Sequence, residues 1–169
     1  MPITASMLRQ YVQPTFIETG TFKCEAVDLA RQLGFQMIHT IDLCQSYVDA
    51  AKAKGYHAAY CGDSPDVLAK ILPVIDGPIT FWLDAHPFER PLDIFHTRFP
   101  LMRELRAIHQ YANDAKHVLL MDDMRVMNAW EKQLLLHGLQ LLWPDGVVRW
   151  HGDRYCDDDI LCYDLRGVQ

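Results

Sequence analysis

Apolar residues in this chain recur with two different periods. Short β-rich runs, TFIETGT (15–21), FQMIHTIDL (35–43), YHAAYCGD (56–63), ITFWLDAH (79–86) and HVLLMDDMRV (117–126), alternate with stretches where apolar positions return every three to four residues. In 22–33, Phe22, Ala26, Leu29, Ala30 and Leu33 share one helical face and Gly34 stops the helix. Segment 44–54 carries Tyr47, Val48 and Ala51 and ends at Gly55, and segment 64–76 opens with Ser64 as N-cap and Pro65 at the first helical position. Segments 99–112 and 127–142 repeat the helical pattern, the last one ended by Pro144 and Gly146. Strands alternating with helices imply βαβ units, hence a doubly wound parallel sheet with helices on both faces. Runs 79–83 and 118–121 are apolar almost throughout, as central strands covered on both sides must be. The tail departs from this pattern: VVRWHGDRY (147–155) and DDILCYDL (158–165) have no helix between them, which predicts an antiparallel C-terminal hairpin. The expectation is a Rossmann-like α/β fold with a seven-stranded sheet, folded as one domain over residues 1–169.

Composition narrows the class. A chain of 169 residues with 50% hydrophobic content buries enough surface to need no covalent staple. Its apolar runs are far shorter than a membrane span, and MPITASMLRQ lacks the basic and apolar regions of a signal peptide, so a cytoplasmic location is expected. A net charge of −6 argues against binding nucleic acid or an anionic membrane and leaves a small molecule as the expected partner. The five cysteines form no CxxC or Cys/His pair with zinc spacing, so free thiols in a reducing compartment are expected.

Five βα units followed by a hairpin resemble the class I S-adenosylmethionine-dependent methyltransferase fold. In open α/β sheets ligands bind beyond the carboxyl ends of the strands, at the point where strand order reverses. Those ends are polar here: Glu18-Thr19-Gly20-Thr21, Asp42, Gly62-Asp63-Ser64, Asp84-Ala85-His86 and Asp122-Asp123. Converging like charges do nothing for a sheet by themselves, so this row is the main functional signal in the sequence. Gly20 permits close approach to the backbone of the first turn, and Glu18 suits a cationic group, such as the amino group of a methionine moiety, better than a pyrophosphate. Asp42 is placed to accept from ribose hydroxyls, or to cap the helix that follows. Gly62, Asp63 and Ser64 would meet the adenine, although capping of the next helix explains Asp63 and Ser64 equally well. Asp84, Asp122 and Asp123 end neighbouring strands and could share a divalent cation such as Mg²⁺, with Asp84 or His86 taking a substrate proton. The simpler reading has Asp122 and Asp123 capping helix 127–142.

The segments FIETGTF, GDS, FWLDAH and HVLLMDD, in this order, resemble methyltransferases of the macrocin O-methyltransferase type over about residues 15–126. That resemblance implies a metal held by Asp84, Asp122 and Asp123, base catalysis around Asp84, and methylation of a sugar-like hydroxyl. Cys24 stands near where relatives commonly carry a second glycine, so it either narrows the cofactor pocket or packs under the helix. The chain lacks the inserted lid of longer relatives. Segment 87–100, with Arg90, His96 and Arg98, is a candidate lid or a surface loop. Two other functions remain open: a cofactor-binding module without transfer activity that serves a partner subunit, and a metal-dependent hydrolase using the Asp cluster. A homodimer is expected on general grounds. Trp82 is expected in the core, Trp143 and Trp150 in packing or a dimer surface, and Asp157-Asp158-Asp159 as a solvated hairpin turn. His109, His117 and His137 are without evident partners.

Overall fold

A computed structural model of the chain describes residues 3–85, 100–112, 116–152 and 156–167. Among these residues the strands are β1 (Thr15–Thr19), β2 (Met37–Asp42), β3 (Ala59–Cys61), β4 (Ile79–Leu83), β5 (Val118–Met121), β6 (Val147–His151) and β7 (Ile160–Asp164). The helices are α1 (Ala5–Leu8), α2 (Glu25–Leu33), α3 (Gln45–Ala53), α4 (Ser64–Ile71), α5 (Leu101–Tyr111) and α6 (Ala129–Leu142). The strands form one sheet in the order β3-β2-β1-β4-β5-β7-β6. β1 to β5 run parallel, and β7 lies antiparallel between β5 and β6. This is the expected doubly wound sheet with its terminal hairpin.

Alternation along the strands divides the core in two. Ile17, Phe81, Leu119, Met121, Leu161 and Tyr163 face one layer with residues of α4, α5 and α6. Phe16, Trp82, Val118, Leu120, Ile160 and Cys162 face the other, with α1, α2 and α3. β4 and β5 are buried throughout, as their near-continuous apolar sequence requires. Trp82 is in the core, and Trp143 and Trp150 pack half-buried against it.

The sequence placed most elements correctly and some ends differently. Gly34 closes α2 in the left-handed conformation, its N–H reaching the Ala30 and Arg31 carbonyls. Asp63, not Ser64, holds the N-cap position of α4, because the strand–helix turn already begins at Gly62. α6 is capped by Asn128 and not by Asp122 or Asp123: a 3-10 turn over Met124–Val126 separates those aspartates from the helix. α1 is additional, a single turn that docks Met7 and Leu8 on the second core layer. His117 is not partnerless: its Nδ1 accepts the Ile79 N–H at 3.1 Å, joining the starts of β4 and β5.

Candidate functional site

The parallel ladder continues one residue past the strand ends, and this sets the geometry of the carboxyl edge. Gly62 N–H donates to Asp42 O at 2.9 Å, Gly20 N–H to Ile41 O at 2.8 Å, Asp84 N–H to Thr19 O and Asp122 N–H to Leu83 O, both at 3.1 Å. The expected site residues Gly62, Asp42, Gly20, Asp84 and Asp122 therefore stand in one row across β3-β2-β1-β4-β5. The strand order reverses between β1 and β4, which is where a doubly wound sheet opens its ligand crevice.

At that crevice Gly20 has φ +89°, and a Cβ there would sit 2.6 Å from the Asp84 carbonyl oxygen. The backbone that approaches Gly20 closely is thus that of β4. Phe22 (φ 40°) and Cys24 (φ 68°) are also left-handed, so the β1–α2 turn holds two non-glycine residues in a conformation that favours glycine. Cys24 is buried with Ala26 and Val27 in the second core layer, so it packs beneath the helix.

The turn's polar side chains face inward. Glu18 is 2% exposed and accepts from the Thr40 hydroxyl at 2.6 Å; Thr40 in turn lies 2.6 Å from the Thr21 hydroxyl. Thr19 and Thr21 are buried as well. Burial raises the Glu18 carboxyl well above the usual range, and the nearby charges of Asp84 and Asp42 add to this, against the opposing Thr40 hydrogen bond. What this turn presents outward is main chain, with a carboxyl group behind it. Asp42, half-buried, spends Oδ2 on the Phe22 N–H (3.0 Å) and Oδ1 on the Cys44 N–H (2.8 Å). It holds the β1–α2 turn against β2 and is not the N-cap of α3, a position that Cys44 takes.

Asp63 neither caps α4 through its side chain nor stands alone: its Oδ2 pairs with Arg103 of α5 at 2.7 Å. Ser64 donates to Glu104 Oε1 at 2.5 Å. Glu104 is a site-adjacent carboxyl that the sequence reading missed. It is 1% exposed, and burial raises its pKa to about 7, opposed by the hydroxyls of Ser64 and Thr19 that face it. On an amphipathic helix an isolated Glu reads as solvent-facing, and only the docking of α5 on α4 buries it.

Beyond β5, three carboxylates come within 4.8 Å of one another: Asp122, Asp123 and Asp159. The third member was expected to be Asp84. Asp84 is half-buried at the end of β4, and its charge acts on Asp122 without its joining that group. Asp159 is not a solvated turn residue; it is fully buried. Its Oδ1 accepts the Arg125 N–H at 2.8 Å, its Oδ2 takes the Arg125 guanidinium, and its carbonyl accepts the Met124 N–H at 2.9 Å. Arg125 also reaches Asp123 at 2.5 Å. Asp122 accepts the Asp123 N–H at 2.7 Å, and burial together with the charge of Asp84 pushes its carboxyl up to about 9. For a divalent metal this donor set fits poorly as folded, since both oxygens of Asp159 and one of Asp123 already serve Arg125. His86 and the candidate lid residues Arg90, His96 and Arg98 lie outside the described residues.

No protein-family model matches the chain, and no curated protein matches it in sequence. Solved structures do match its fold. Human methyltransferase-like protein 13, in complex with S-adenosylhomocysteine (SAH), aligns with a TM-score of 0.63 at 15% identity, over 99% of this chain and 78% of that one. The O-methyltransferase TomG of Streptomyces achromogenes, involved in tomaymycin synthesis and bound to S-adenosylmethionine (SAM), gives 0.64 at 13% identity, over 97% and 78%. A SAM-dependent methyltransferase from Archaeoglobus fulgidus gives 0.60 at 10% identity, over 95% and 94%. At these identities the likeness shows the fold, which is that of class I methyltransferases. Among the described residues no helix is long and apolar enough to cross a membrane.

Proposed function

We propose that this chain is a SAM-dependent methyltransferase acting on a hydroxyl of a small, sugar-like molecule, as the resemblance to the macrocin O-methyltransferase type suggests. The observation that carries the reading is the row of carboxyl groups at the strand-order reversal. Among the described residues, the cations paired along this edge go to Asp63 and Asp66 (Arg103) and to Asp123 and Asp159 (Arg125). Among the described residues, Glu18 and Asp42 receive only a hydroxyl and backbone N–H groups. An edge of this kind suits a ligand carrying positive charge, and SAM has both a sulfonium and an ammonium.

In this reading the main chain of the Gly20 turn and the buried Glu18 carboxyl behind it hold the methionine part. Asp42, whose carboxylate retains lone pairs, takes the ribose hydroxyls, and the Gly62-Asp63-Ser64 turn lies by the adenine. Bound there, SAM would supply an electrophilic methyl group for the acceptor oxygen, with the S–CH₃ bonding pair remaining on sulfur. Asp84 at the crevice takes the proton that the acceptor hydroxyl gives up, with His86 as its alternate. Residues 1–169 act as one domain, at a soluble cytoplasmic location and as a homodimer. No step is assigned to Mg²⁺, because Asp123, one of the carboxylates that would ligate it, is engaged with Arg125.

The test is calorimetric titration of the full chain with SAH. We expect micromolar affinity, about −8 kcal/mol, weakened at least tenfold by Asp42→Ala while the far-ultraviolet circular dichroism is kept. An absence of saturable binding would overturn the assignment. Binding without methyl transfer to any member of a panel of sugars and phenols would convert it to a cofactor-binding module.

A further inference from the structure

The carboxylate cluster beyond β5 already contains a cation of its own. Arg125 sits on the 3-10 turn that leaves β5, and it engages the cluster three times: its guanidinium bonds Asp159 and Asp123, and its backbone N–H bonds Asp159 again. The turn is tied down further by the Met124 N–H on the Asp159 carbonyl. Asp123 itself adopts the left-handed conformation (φ 61°, ψ 31°), which a short polar side chain tolerates and which turns the chain from β5 toward Asp159. The guanidinium's planar fork suits buried carboxylates because it satisfies several oxygens from one delocalised charge.

We infer that Arg125 is the resident cation of the Asp122/Asp123/Asp159 cluster and that it excludes a divalent metal from it. A hard divalent ion takes carboxylate oxygens directly, several at a time. Both Asp159 oxygens already serve Arg125 and one Asp123 oxygen is held in the same ion pair, so a metal would have to compete with that arginine for each of them. The cluster is therefore a clamp between the end of β5 and the β6–β7 connection. Metal independence of this cluster follows, and so does the loss of support for a hydrolase alternative that requires those three carboxylates to be open. The inference stands apart from the cofactor assignment, because none of its readouts uses the cofactor.

The experiment uses the full chain stripped with a chelator and Mn²⁺ as the probe, with free Mn²⁺ followed by electron paramagnetic resonance. Wild type should show no Mn²⁺ binding that Asp122→Asn removes, up to about 1 mM, the weak end of protein sites for divalent ions. Arg125→Gln takes away the charge and opens the cluster, so that variant should bind one Mn²⁺ saturably, and Arg125→Gln/Asp122→Asn should lose it. If Arg125→Gln is unfolded without metal, Mn²⁺ should restore its circular dichroism. Saturable binding by wild type that Asp122→Asn abolishes would overturn the inference. So would an Arg125→Gln protein that neither binds Mn²⁺ when folded nor is rescued by it when unfolded.

Discussion

Gly20 serves two strands at once. Its φ of +89° turns the chain out of β1, and its missing side chain lets that turn lie against the Asp84 carbonyl of β4. Gly20→Ala would incur both the left-handed penalty and a backbone clash that no rotamer relieves. Destabilisation of about 2–4 kcal/mol is expected, read as a lowered urea midpoint with an unchanged slope; a shift under 0.5 kcal/mol would mean the two turns separate easily. The sequence marked Gly20 for close approach of a ligand; the close approach seen is that of the Asp84 backbone. Likewise it marked Asp42 and Asp63 as polar strand ends, while Phe22, Cys44 and Arg103 as their partners depend on how turns and helices dock. Asp159 and Glu104 were hidden for the same reason. Each is an acidic residue in a segment that reads as solvated, and each becomes buried only through contacts with a distant element: Arg125 after β5, and Ser64 at the start of α4.

At the scale of elements, α6 shows how a local signal is read correctly once its neighbours are known. Asn128 accepts the Glu131 N–H at 3.0 Å while Glu131 accepts the Asn128 N–H at 2.8 Å, a reciprocal cap. The helix period from 127 onward was legible; the choice of cap was not, because Asp122 and Asp123 compete as candidates until the intervening 3-10 turn is seen. Asn128→Ala should cost about 1 kcal/mol, measured by chemical denaturation, whereas Asp123→Ala should act on the Arg125 clamp and leave α6 helicity intact. Equal loss of helical signal in both variants would refute this division of labour. α1 escaped notice because one turn has no periodicity to detect. Its N-cap Thr4 is a local cue, yet what fixes the helix is Met7 and Leu8 reaching the core beside β1.

At the scale of the whole molecule, the parallel sheet and terminal hairpin were legible because period, glycine stops and buried runs all pointed the same way. The electrostatics of the carboxyl edge were legible only in sign. Glu18, Glu104 and Asp122 all have carboxyls raised by burial, Glu104 to about 7 and Asp122 to about 9. Raising the pH therefore removes protons from this edge and makes it more negative. SAM carries one more positive charge than SAH, so the preference for SAM over SAH should grow between pH 6 and pH 8. Roughly fivefold is expected, the effect of one added charge several ångström away in a partly screened site, with paired titrations as the measurement. A preference that is flat or falls with pH would place the bound sulfur away from these groups. The order of the last two strands has a different kind of consequence. β6 is made before β7, yet among the described residues β7 is the strand that joins it to the sheet, and Asp159 just precedes β7. During synthesis the first five strands can assemble as the chain emerges, but β6 then has nowhere to pair and Arg125 has no Asp159 to clamp. Nascent chains that stop short of β7 would display an open β5 edge and an unquenched guanidinium, so this protein is most vulnerable to wrong partners until β7 has been made.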